Sequence, residues 1–259
     1  MTETINQSEI YYDLAGEGSR RVLLLHGWGC DHSLMKPVAD SLKNDFRILM
    51  PDFPGHGQSP EPPEPWGVSD YAGQIFELMH QLDFVPSAVI AHSFGCRVAA
   101  MLAAVHPDLF SKIVFTGAAG IRPKASAGSE ERQSRYKSLK KAAGFVQHLP
   151  GLHSLGDRLQ ENLVQKYGSR DYAALSPEMR KTFVKIVNED LTPLYPQIRQ
   201  STLLLWGDED RETPVWMGEK MKELIPDAGL VFLEGGSHFA YLEQIQRFNT
   251  IVKHFLTEA

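Results

Sequence analysis

Six short apolar runs constrain this chain more than any other feature: Arg21-Val22-Leu23-Leu24-Leu25, Phe46-Arg47-Ile48-Leu49-Met50, Ala88-Val89-Ile90-Ala91, Lys112-Ile113-Val114-Phe115-Thr116, Thr202-Leu203-Leu204-Leu205-Trp206 and Gly229-Leu230-Val231-Phe232-Leu233. Their apolar residues run on without strict alternation, the pattern of strands buried on both faces. Helical stretches lie between them, at 33–42, 69–82, 94–105, 215–224 and 245–256. In the second of these, Tyr71, Ile75, Leu78, Met79 and Leu82 recur at helical spacing and mark an apolar face. Strand and helix in alternation predict an α/β fold, a mostly parallel, doubly wound sheet with helices on both sides. Ser8 to Asp13 predicts an edge strand ahead of the Gly16-Glu17-Gly18 turn.

From Arg122 to Tyr195 this rhythm stops. No strand pattern occurs there, and the residues read as helices broken at Pro150-Gly151, Tyr167-Gly168 and Ser176-Pro177. Such a segment is too long for a structureless loop inside a compact domain. It predicts an inserted helical lid over 122–195, with 1–121 and 196–259 forming the α/β core. The insert holds 13 Lys/Arg against 8 Asp/Glu, a balance of +5, which leaves −11 for the rest of a chain of net charge −6. An acidic chain lacks the basic surface that tracks a phosphate backbone, so no nucleic-acid partner is expected. No apolar run approaches the ~18–20 residues that span a bilayer, and Met1 to Gln7 lack a secretory signal's basic and apolar regions. Cys30 and Cys96 form neither a CxxC pair nor a zinc spacing. The expectation is a cytoplasmic protein with free thiols, no metal and no membrane partner.

Two short motifs carry chemistry. Ala91-His92-Ser93-Phe94-Gly95 lies between a buried strand and a helix. A serine at a tight strand-to-helix turn is held strained, with its hydroxyl exposed above the sheet. Small residues are needed two positions to either side, where strand and helix pass closely, and Ala91 and Gly95 supply them. The turn also sets Ser93 at the positive end of the following helix, which favours developing negative charge. The second motif, His26-Gly27-Trp28-Gly29, directly follows the first buried strand. A tetrahedral intermediate needs preorganised N–H donors, and the backbone amides of Trp28 and Phe94 are the candidates for its oxyanion hole.

With these motifs in place, the chain resembles the α/β-hydrolase superfamily, in its esterase-like branch with a helical lid. The resemblance also rests on Asp52-Phe53-Pro54-Gly55-His56-Gly57-Gln58-Ser59, Trp206-Gly207-Asp208-Glu209-Asp210 with Pro214, and Gly236-Ser237-His238-Phe239 with Glu243. Ala91 departs from the glycine usual at its place. The resemblance implies a triad in the order nucleophile, acid, histidine. Ser93 is the nucleophile. Asp210 is the acid, with Gly207 and Pro214 at the family's spacings and Asp208 as rival. His238 is the base, reached after two glycines. His26 and His56 are expected to be structural, His92 and Phe239 to wall the substrate pocket, and His32 to lie on the solvated surface.

The resemblance implies hydrolysis of a carboxylic ester of a small molecule through an acyl-enzyme, with no cofactor. An aspartate nucleophile, needed for dehalogenases or epoxide hydrolases, is absent. The alternatives are a carbon–carbon bond hydrolase of a vinylogous diketone, whose nucleophile is commonly preceded by asparagine where His92 stands here, and a catalytically silent receptor of the same fold.

Overall fold

The computed structural model describes residues 1–5, 8–122, 135, 138–139, 141–143, 145, 147, 153–167 and 170–258. Its strands are β1 (Thr2–Ile5), β2 (Ser8–Ala15), β3 (Arg20–Leu25), β4 (Phe46–Pro51), β5 (Ala88–His92), β6 (Lys112–Thr116), β7 (Ser201–Gly207) and β8 (Ala228–Leu233). They form one sheet in the order β1-β2-β4-β3-β5-β6-β7-β8. The pairs from β4 to β8 are parallel, and the β1–β2 and β2–β4 pairs are antiparallel. The expected edge strand at Ser8 is thus flanked by a further strand, β1. That strand buries only Ile5, so it leaves no apolar run in the sequence.

Helices α1 (Lys36–Leu42), α2 (Val68–Gln81), α3 (Phe94–Val105), α7 (Val215–Leu224), α8 (Ala240–Glu243) and α9 (Ile245–Thr257) complete the α/β unit, and α4 (His153–Tyr167), α5 (Arg170–Ala174) and α6 (Pro177–Asn188) fall in the inserted segment. The helix expected at 33–42 is split into a 3-10 turn at His32–Met35 followed by α1. Pro37 explains the split, because a proline inside a helix lacks the N–H and clashes with the carbonyl four residues back. Successive residues of each buried strand go to opposite faces. Leu23 and Leu25 join the cluster that includes residues of α2, α3 and α7, while Val22 and Leu24 join the one that includes residues of α1 and α9. Both faces are covered, and this produces the unbroken apolar runs.

The residues gather into two compact units, 1–122 with 185–259 and 123–184. The second unit ends at Val184 rather than at Tyr195. The stretch that follows belongs to the core: Ile186, Leu191, Tyr195 and Ile198 are in its apolar cluster, and Arg97 Nη1 donates to Glu189 O at 2.8 Å. Of the breaks expected in the insert, Ser176-Pro177 is the start of α6, where Ser176 Oγ accepts the Met179 amide at 3.1 Å as an N-cap. Pro150-Gly151 and Gly168 lie outside the described residues. Among the described residues no helix is long and apolar enough to cross a membrane.

Strand order reverses at β3, whose neighbours are β4 on one side and β5 on the other. In open α/β sheets the crevice at the carboxyl ends of the strands beside such a switch is where ligands bind. The loops after β3 and β5 are those of His26-Gly27-Trp28 and Ser93.

Candidate active site

Ser93 joins β5 to α3 with φ 51° and ψ −110°, a conformation that L residues rarely adopt. Strain of this kind costs roughly 1–3 kcal/mol and persists where the surroundings over-determine it. The surroundings here are tight. A Cβ on Gly95 would lie 2.6 Å from Leu25 O and 2.7 Å from His26 O, so helix and strand pass too closely for any side chain. The Ser93 amide is held by Thr116 O at 3.1 Å, and its carbonyl accepts the amides of Cys96 and Ala119. The Phe94 amide is the first of α3, where a helix supplies no acceptor of its own.

The loop after β3 is fixed by a buried imidazole. His26 Nε2 accepts the Phe53 amide at 3.0 Å, so its proton is on Nδ1, which donates to Gly27 O at 2.8 Å. Burial and the neighbouring His56 hold the His26 pKa down to about 3, so the ring is neutral and the tautomer locked. Gly27 passes close to Ser93: a Cβ there would meet His92 Nδ1 at 2.8 Å and Ser93 Cβ at 3.3 Å. The Trp28 and Phe94 rings meet edge to face at 5.3 Å, with His56 against Trp28 at 4.6 Å and Phe53 against Phe94 at 5.1 Å. The two residues whose amides are the oxyanion-hole candidates are therefore packed against each other. His56 is buried, bonds Pro54 O through Nδ1 at 3.2 Å, and has its pKa lowered by burial to about 4.

Across Ser93 stands His238. Its Nε2 is 3.0 Å from Ser93 Oγ, and its Nδ1 is 2.8 Å from Asp210 Oδ2. A carboxylate only accepts, so Nδ1 carries the proton and Nε2 is left to take the serine's. Asp210 is itself held on three further bonds. Oδ1 accepts the amides of Glu212 and Thr213, both at 2.9 Å, and Oδ2 accepts Thr213 Oγ at 2.7 Å. Burial raises the Asp210 carboxyl, but the bonds from His238 and Thr213 and the imidazole charge outweigh it and keep the carboxyl below its ordinary range. Trp206, fully buried at the end of β7, anchors the same loop by donating Nε1–H to Thr213 O at 2.7 Å. Asp208 is exposed and bonds the Gly235 amide instead, so the structure places Asp210, not its rival, on the imidazole.

Two expectations are corrected. His92 is 1% exposed, and its Nε2–H donates to His238 O at 3.0 Å. It is ringed by His238, Phe239 and Tyr241 rather than set on an exposed surface. Burial holds its pKa down to about 3. Phe239 is half-buried and packs on this imidazole and on His238. His32, expected on the surface, is buried against Asp52, whose Oδ1 takes both its amide at 2.7 Å and its Nδ1–H at 2.8 Å. With Asp31 these residues bring three ligand-type atoms within 4.8 Å. Asp52 is already spent on hydrogen bonds, however: Oδ2 accepts the Gln58 amide at 2.9 Å, and the ring nitrogen facing Oδ1 is a donor, so the group braces two loops. Thr213 and Glu212 went unnoticed in the sequence. Glu212 Oε2 is 3.5 Å from His238 Nε2, on the edge that faces Ser93.

Residues 20–244 match the family model of the alpha/beta hydrolase fold. The chain is an α/β hydrolase. It is 26% identical over 260 residues to the pimeloyl-[acyl-carrier protein] methyl ester esterase of Chromobacterium violaceum, covering 96% of this chain and 99% of that protein. It is 24% identical over 278 residues to a 2-hydroxy-6-oxononadienedioate/2-hydroxy-6-oxononatrienedioate hydrolase of a Pseudomonas species, covering 99% and 94%. The enol-lactonase structure from Burkholderia xenovorans superposes with a TM-score of 0.75 at 22% identity and covers 100% of both chains. The two sequence relatives are named for different substrates and share hydrolysis.

Proposed function

We propose that this α/β hydrolase cleaves a carboxylic ester of a small molecule through an acyl-enzyme on Ser93. The observation that carries the reading is the continuous relay from Asp210 Oδ2 through His238 to Ser93 Oγ, at 2.8 and 3.0 Å, with the serine on a strained turn. In the first step the Ser93 proton passes to His238 Nε2 as Oγ attacks the ester carbonyl, and the Trp28 and Phe94 amides receive the oxyanion. Collapse breaks the bond to the alcohol oxygen, which leaves with the proton from Nε2. Water then attacks the acyl-enzyme with His238 again as base, and the acid departs from a restored Ser93. Asp210 orients the ring and stabilises its charged form without taking the proton.

A second reading, cleavage of a carbon–carbon bond in a vinylogous diketone, has the similarity to the Pseudomonas dienedioate hydrolase in its favour. A fluorophosphonate, followed by peptide mass spectrometry, and a panel of esters run beside a dienone substrate test both. A single adduct on Ser93 with ester turnover is expected. Turnover of the dienone alone moves the assignment to the second reading. An unlabelled Ser93 defeats both and leaves a silent receptor. In this reading the insert expected at 122–195 acts as a lid that sets acyl length. Substitution of its apolar side chains should shift the preferred ester chain length while the labelling rate of Ser93 holds, and an unchanged chain-length profile counts against the lid.

A further inference from the structure

Among the described residues, Glu212 brings a carboxylate to the nitrogen of His238 that faces Ser93. Its amide is bound to Asp210 Oδ1 at 2.9 Å, which fixes its backbone beside the acid. Its Oε2 then reaches within 3.5 Å of His238 Nε2, the nitrogen that faces Ser93 Oγ at 3.0 Å. It has company. Asp208 and Glu209 on the same loop, and Glu234 and Glu243 around the loop of His238, are all exposed, and these two segments carry Arg211 as their one Lys or Arg. The loops of Asp210 and His238 therefore carry a net negative charge, and of these exposed acids Glu212 is the one in contact with His238 Nε2. This local charge is opposite in sign to the +5 balance of 122–195.

We propose that Glu212 is a specificity-determining residue, restricting the site to esters that are uncharged near the scissile carbonyl and rejecting those that carry a carboxylate there. The proposal rests on the acyl-enzyme reading above. An ester carbon must come to about 3 Å from Ser93 Oγ to react. With Glu212 on the nitrogen that the serine faces, a charge two or three bonds away on the acyl group stands on the order of 6 Å from its carboxylate. Like charges at that distance cost about a threefold rate factor at the dielectric of water and about a hundredfold at an effective value near 20. The Glu212 side chain is 65% exposed, which puts the expected discrimination at roughly three- to tenfold.

The test compares wild type with Glu212→Gln and Glu212→Lys on p-nitrophenyl butyrate and mono-p-nitrophenyl succinate, two acyl groups of equal length of which one ends in a carboxylate. Any change in the basicity of His238 multiplies both rates and cancels in their ratio, so the ratio reports charge at the acyl site alone. Turnover of the neutral ester by each variant verifies its fold. The neutral-to-anionic ratio of kcat/KM is expected to fall roughly three- to tenfold in Glu212→Gln and further in Glu212→Lys. The difference should shrink between about 20 mM and 500 mM NaCl as the charges are screened. A ratio that stays within twofold in both variants while the neutral ester is hydrolysed overturns the role of Glu212 and leaves the esterase reading intact. Wild type that hydrolyses neither ester overturns the esterase reading and the proposal with it.

Discussion

Asp210→Asn tests the triad most sharply, because the surrounding bonds dictate how the new amide must lie. Oδ1 of Asp210 accepts two backbone amides, from Glu212 and Thr213, and neither donor can turn away without unravelling the loop that Trp206 anchors through Thr213 O. An asparagine therefore has to leave its carbonyl oxygen on those amides and aim its NH₂ at His238 Nδ1. Thr213 Oγ, now 2.7 Å from Oδ2, can rotate to accept from that NH₂, so nothing opposes the orientation. A donor facing Nδ1 forces the imidazole proton onto Nε2, the nitrogen facing Ser93, and the base can no longer take the serine proton. The tautomer fault in such a triad costs about 10⁴ in kcat, or roughly 5.5 kcal/mol of transition-state stabilisation. Steady-state hydrolysis of an activated ester measures it. Asp208→Asn is the control, since that residue is exposed and its carboxylate bonds only the Gly235 amide among the described partners. Asp210→Asn retaining activity within about tenfold of wild type, or Asp208→Asn proving as damaging, would refute the tautomer argument.

Two predictions concern stability. Ser93→Gly should melt above Ser93→Ala, since both lose the hydroxyl but only glycine relaxes at φ 51°; net of glycine's greater entropy, about 1 kcal/mol or 2–4 °C by calorimetry is expected, and a lower Tm for the glycine variant would contradict the strain. His26, His56 and His92 are neutral in the fold, with pKa values held down to about 3, 4 and 3 mainly by burial. In the unfolded chain they protonate near pH 6.5, so their stabilising effect is full above that pH and is lost as pH falls towards their folded values. Urea unfolding near pH 5 should show stability dropping by roughly 4 kcal/mol per pH unit from these three groups, and a flat profile between pH 6.5 and 4.5 is the result that excludes it.

The sheet was legible because burial on two faces leaves a one-dimensional trace. Val22 and Leu24 serve one core and Leu23 and Leu25 the other, so each central strand writes an unbroken apolar run. β1 serves one face with a single side chain, Ile5, and writes nothing. The loops of Ser93 and Trp28 were legible for a related reason: close approach of backbones demands small residues at fixed spacings, and Gly27, Ala91 and Gly95 are local in sequence. His32 and His92 misled because burial of a polar ring depends on partners far along the chain, Asp52 in one case and the carbonyl of His238 in the other.

Thr213 and Glu212 mark where spacing stops being informative. Both follow the acid within three residues, yet their roles depend on which way a turn closes. The turn closes because Asp210 Oδ1 draws in two successive amides, and that brings Thr213 Oγ onto the acid and Glu212 onto the far side of the imidazole. One carboxylate thus does three things. It holds the His238 ring, it recruits the hydroxyl that helps to hold its own charge, and it positions a second carboxylate beside His238 Nε2. Its first function belongs to any triad of this kind, whereas the third depends on the residue two positions later being acidic. In the proposed esterase, specificity by charge can therefore change at position 212 without disturbing the relay, since the bond that builds the turn uses the backbone N–H of Glu212 and not its side chain.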